Sequence, residues 1–110
     1  MKKGLVIKEK WLDKIFDEGK VWEMRTSSTK IRGTIGLIQS GSGLIIGKAD
    51  IIDSFRINLN ERNFDKHRVD IDDLHLLGKW RYAWVLDNVE KFDEPIPYKH
   101  PQGAVIWVKL

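Results

Sequence analysis

The chain has no cysteine among its 110 residues. That absence removes thiol nucleophiles, thiolate zinc sites and disulfides, and it agrees with a reducing cytoplasm, where the protein is expected to reside. No apolar run approaches the ~20 residues of a membrane-spanning helix. The N-terminal MKKGLVIKEK starts basic, but its apolar run lasts only from Gly4 to Ile7 before Lys8 interrupts it. Neither a signal segment nor a membrane partner is therefore expected. Histidine is scarce: His67, His75 and His100 are scattered without metal-ligand spacing, so no metal and no cofactor is expected. A phosphate loop is missing too, because Gly41-Ser42-Gly43 lacks the Lys and Ser/Thr that would follow, and it reads as a hairpin turn. Internal repeats, linkers and low-complexity segments do not occur.

What is present describes one domain spanning residues 1–110 around a single core, with 42% hydrophobic and 32% charged residues. The net charge of +3 is a mild basic bias that permits a polyanionic partner. Its distribution matters more than its size. From Gly19 to Gly33 the chain carries Lys20, Arg25, Lys30 and Arg32 against the single acid Glu23, an excess equal to that of the whole protein. Trp22 and Met24 alternate there with Val21, Glu23 and Arg25, giving a strand with an apolar face and a charged face. Such a strand can floor an anion-binding cleft, or it can be an edge strand kept from aggregating by its charges.

Periodicity supplies the other elements. Gly4 to Ile7 suits a first strand. Trp11, Leu12, Ile15 and Phe16 recur at helical spacing within Lys8 to Asp17, and Gly19 is placed to end that helix in the left-handed conformation. The hydroxyl-rich loop Thr26 to Lys30 suits turn hydrogen bonds or phosphate oxygens. Ile31 to Gln39 and Leu44 to Phe55 form a hairpin across Ser40 to Gly43, and the small residues Gly47 and Ala49 suit a bulge or bend where a sheet curls. A loop over Arg56 to Arg68 and a short helix over Val69 to Leu77 follow. A central strand covers Arg81 to Val89, Pro95-Ile96-Pro97 makes an extended excursion, and Ala104 to Leu110 is a final strand. A curled sheet of this kind favours a small barrel.

The chemistry-bearing residues each admit two readings. Lys20, set in a cleft beside Trp22 and Trp84, would have its charged form disfavoured by desolvation and could serve as a general base. Glu23 opposes that, and the pair then becomes a structural ion pair. Arg25 suits a phosphate or an oxyanion, or a salt bridge on the barrel wall. Lys30 and Arg32 suit phosphates. Ser40 is a nucleophile or a hydrogen-bonding pocket residue, with no histidine partner to assign. Of the five tryptophans, Trp11 and Trp107 fit core faces, Trp22 and Trp84 could line the cleft, and Trp80 between Lys79 and Arg81 is a stacking platform or a packing residue. Tyr82 stands on the same strand as Trp84.

The run Gly19-Lys20, Glu23, Arg25, Lys30, Arg32-Gly33 and Ile35 resembles the signature region of the ASCH domain family. Ser40, Gly47, Tyr82-Ala83-Trp84-Val85-Leu86, Glu94-Pro95-Ile96-Pro97-Tyr98 and Gln102-Gly103 follow in that family's order. The chain departs from the pattern at Glu18, which stands where the family has its glycine. The resemblance implies a PUA-like fold, a small curled α+β barrel with flanking short helices. It also implies a cleft that binds RNA or a modified nucleoside, lined from the Lys20 to Arg32 region; together with the residue readings above, the candidate binding residues are Trp22, Arg25, Thr26, Lys30, Arg32, Ser40, Trp80, Tyr82 and Trp84. Some similar proteins are amidohydrolases on acetylated cytidine and others ribonucleases. The former carry Thr where this chain has Glu23, with a downstream acid for which Glu61, Asp65, Asp70, Asp72 and Asp73 are candidates. A catalytic Lys20 with Glu23 is the corresponding enzymatic expectation.

Overall fold

A six-stranded sheet curls into a half-barrel with one short helix packed against it, in a computed structural model that describes residues 1–57 and 82–110. The expected helix over Val69 to Leu77, Trp80 and the five candidate downstream acids lie outside the described residues. In chain order the elements are β1 (Lys3–Ile7), α1 (Glu9–Asp17), β2 (Trp22–Arg25), β3 (Gly33–Gln39), β4 (Leu44–Arg56), β5 (Tyr82–Pro97) and β6 (Trp107–Lys109). In space they run β2-β5-β4-β3-β1-β6, with β1 parallel to β3 and the remaining pairs antiparallel.

The helix forms where the period changes. Leu12 and Ile15 are buried on its inner face, with Trp11 and Phe16 packed against the same core as Leu5, Ile7, Leu37, Ile51 and Leu86. Gly19 ends it at φ 68°, a conformation that lets the Lys20 N–H turn back to the Lys14 carbonyl at 3.0 Å. This return carries the Lys20 side chain inward.

The curl has visible causes in β4 and β5. Their pairing shifts register at Ile45/Gly47, Lys48/Asp50 and Ile51/Asp53, and Asn88 sits at φ 50° within β5. Bulges of this kind bend a strand and strengthen its twist. At Gly47 the cause is space: a Cβ would collide with the Glu90 carbonyl oxygen and the Phe16 ring. The curl brings the two ends of the sheet together. Arg25 on β2 donates to the Val6 carbonyl on β1 at 3.0 Å, and Trp84 on β5 stacks on Trp107 of β6 with centroids 5.7 Å apart.

Two expected boundaries are corrected. The proline pair does not interrupt β5, which continues to Pro97 with Ile45 opposite Ile96 and Leu44 opposite Pro97. Prolines are tolerated there because the strand is ending and few further ladder donors are needed. The last strand is only Trp107–Lys109. Before it, the Ile106 carbonyl accepts from the Val6 N–H at 2.8 Å outside the ladder.

Candidate functional site

The β2 alternation sorts its side chains onto two faces. Trp22 and Met24 pack with Ile57 and Ala83 in a cluster of their own, and Trp22 meets Phe55 edge-on at 5.1 Å. Glu23 and Arg25 point the other way. They lie directly across from Trp84 and Tyr82, on the side where Trp84 joins the main core.

That charged face is buried. Lys20 and Glu23 are each only 3% exposed, and the Lys20 ammonium donates to Glu23 Oε1 at 3.0 Å. Arg25 Nη2 donates to the other oxygen, Oε2, also at 3.0 Å. Both oxygens of one carboxylate are thus taken by two cations, and the triad carries one net positive charge. Burial by itself would raise the Glu23 carboxyl, but the charges of Lys20 and Arg25 and their hydrogen bonds outweigh it. They hold the group below its ordinary 4.5. Rings back the cations, with Lys20 5.3 Å from the Trp11 centroid and Arg25 5.4 Å from that of Trp84. The Trp84 indole N–H donates to the Ser27 carbonyl at 2.8 Å, tying the hydroxyl loop to the wall behind Arg25.

A cavity of about 280 Å³ opens over this triad at the end of β1 and the start of α1, walled by Trp11, Glu23, Arg25, Ser40, Lys8 and Val105. Arg25 keeps 19% of its side chain exposed there. Ser40 is exposed at the start of the β3–β4 turn, its N–H donating to the Ile7 carbonyl at 2.9 Å. Among the described residues the one histidine is engaged elsewhere, the His100 ring bonding Tyr98 Oη and the Ala104 carbonyl. Among the described residues no group of three His, Cys, Asp or Glu stands where it could hold a metal ion. No helix among them is long and apolar enough to cross a membrane.

Of the residues expected at the site, Glu23, Arg25 and Ser40 meet at the cavity, with Tyr82 half-buried opposite Arg25. Lys20 stands one layer behind, against Glu23. Thr26 and Lys30 are exposed on the loop. Arg32 belongs to a different concavity, with Lys2, Lys3 and Thr34. The placement of Trp22 and Trp84 is corrected: neither lines the cavity, because the first faces away on β2 and the second is core beneath Arg25. Trp11 takes the role expected of them. Lys8 and Val105 were missed as well. The pairing of Trp11 with Lys8 one turn earlier was a usable signal, whereas nothing local marks Val105.

Comparison with known proteins agrees with this architecture. The family model for the ASCH domain matches residues 5–96. A crystal structure of a serine-to-alanine mutant of an ASCH protein from Zymomonas mobilis superposes with a TM-score of 0.67, at 13% identity, over 98% of this chain and 87% of that one. At that identity the likeness shows a shared fold. No curated protein matches the sequence.

Proposed function

The chain belongs to the ASCH domain family, and from that premise we propose that its cavity binds a nucleoside, free or within an RNA strand. The observation that carries this reading is the ionic floor, in which Lys20 and Arg25 share the Glu23 carboxylate beneath an opening walled by the Trp11 ring. At about 280 Å³ the space lies near the ~300 Å³ lower end for small-molecule sites. A base stacked on Trp11 in place of Lys10, whose ammonium lies 4.2 Å from the ring centroid, gains about 1–3 kcal/mol. Arg25 offers a guanidinium already oriented by Glu23 and Val6, suited to a phosphate or a base carbonyl. Ser40 supplies a hydroxyl that can donate or accept at a base edge.

The geometry favours binding over turnover. A general base must reach the proton it removes, and Lys20 does not line the cavity, its ammonium being directed to Glu23. The test is to measure retention and chemical conversion together, using acylated cytidine, other modified nucleosides and short single-stranded RNAs. Retention without conversion is expected, with affinity lost in Trp11→Ala and Arg25→Gln. Conversion that disappears in Lys20→Ala and is not restored by Lys20→Arg would replace this reading with a hydrolase, because guanidinium cannot accept a proton. Failure of wild type to retain any of these ligands would overturn the proposal.

A further inference from the structure

We propose that a second concavity, at the opposite end of the β1–β3 pair, holds phosphates of the RNA strand whose base occupies the first cavity. This inference rests on the nucleoside-binding reading above. About 380 Å³ of space is walled there by Lys2, Lys3, Arg32, Thr34, Ile31 and Ile35. Arg32 is fixed in place, its Nη1 donating to the Thr29 and Ile31 carbonyls at 2.8 Å each. Its nearest carboxylate, Asp53, is 3.9 Å away and largely exposed.

A fourth cation stands next to this wall on β6. Lys109 is directly opposite Lys3 in the antiparallel β1–β6 ladder, so the two side chains emerge side by side on one face. Among the described residues neither they nor Lys2 have a carboxylate within ion-pair distance. Like charges placed directly across a ladder destabilise the pair. An anion bound between them would relieve that repulsion.

The carboxylates at the rim are already engaged. Asp50 accepts from the Thr34 hydroxyl at 2.6 Å and from Asn88 at 2.9 Å, and Asp53 accepts from the Ser54 N–H at 2.8 Å. The two concavities are joined by β1. Its ~3.3 Å rise per residue puts roughly 10 Å between Lys3 and Val6 and roughly 20 Å between Lys2 and Lys8. Several nucleotides can bridge that interval, as site sizes of about 4 or more on small β-barrels require. A free mononucleotide cannot occupy both ends.

The test compares wild type with the triple variant Lys2→Gln, Lys3→Gln, Lys109→Gln. Affinities for a nucleoside monophosphate and for a single-stranded RNA of about eight nucleotides, within the site sizes above, are measured across a salt series. The variant should bind the oligonucleotide on the order of tenfold more weakly at low salt, its log–log salt slope shallower by about 0.7 for each phosphate that the lysines no longer neutralise. Mononucleotide affinity should be unchanged. The denaturation midpoint should hold or rise, because the Lys3–Lys109 repulsion is gone, and this separates weakened binding from impaired folding. Unchanged oligonucleotide affinity and slope would overturn the second site, while a mononucleotide still bound and still sensitive to Arg25→Gln would leave the first cavity standing. Wild type binding neither ligand would overturn both.

Discussion

Lys20 and Arg25 differ from Lys30 and Arg32 in almost everything except charge, although all four come from one stretch of chain. The first two are drawn inward by the Gly19 turn and the β2 alternation, and both are anchored on Glu23. The other two are exposed, and Arg32 leans on backbone carbonyls at the far end of β1 and β3. A run of positive charge in sequence therefore builds two surfaces here. The inner pair is costly to disturb because burial magnifies an uncompensated charge, whereas water screens the outer pair.

The contrast is broken most directly at Glu23. Glu23→Gln leaves two cations without their shared carboxylate, and the expected loss is about 3–5 kcal/mol of unfolding free energy in a denaturant titration. A loss below ~1 kcal/mol, the size expected of a surface pair, would mean that the triad behaves as a solvated one. Gly47→Val ranks next, at about 1–3 kcal/mol, because the new side chain meets the Glu90 carbonyl and the Phe16 ring where the sheet bends. An unchanged midpoint would remove the steric account of the curl.

A pH series sharpens the comparison. Because the Glu23 carboxyl is held below 4.5 in the folded protein, the native state binds fewer protons than the unfolded one near that pH. Its contribution is present above the unfolded value and is lost as pH falls through the folded one. Wild type should therefore lose stability on acidification below about pH 4.5, and Glu23→Gln should show a shallower fall over the same interval. Parallel curves would dissociate Glu23 from the acid limb. The smallest stability effect belongs to Lys30→Ala with Arg32→Ala, within about 0.5 kcal/mol. The same double variant should weaken RNA binding across sequences alike and flatten its salt dependence, since phosphate contacts carry no sequence information.

Local patterns were readable wherever one residue's neighbours decide its state. Trp22 and Met24 against Glu23 and Arg25 announced two faces, Gly19 announced the helix end, and Gly41 and Gly43, at φ 78° and 69°, announced the hairpin. Closure of the sheet was not readable, because it joins residues far apart in sequence. Arg25 reaches Val6 and Trp107 reaches Trp84 only after bulges in β4 and β5 have set the curvature. The cavity wall was not readable either: Trp11 packs on the core as its helical spacing implies and walls the cavity as well, Trp22 is turned away by the β2 alternation, and Trp84 is buried in the core beneath Arg25. Lys3 opposite Lys109 depends likewise on a register that neither strand encodes by itself.

Titrating the uniformly ¹⁵N-labelled protein with a nucleoside monophosphate and following the indole N–H resonances tests the central claim most directly. The Trp11 signal should move in a saturable way, together with backbone amides of Val6, Ser40 and Val105, while the Trp22 signal, on the far face of β2, should stay in place. Movement of Trp22 with Trp11 unchanged, or no movement of any indole up to millimolar ligand, would contradict binding in this cavity.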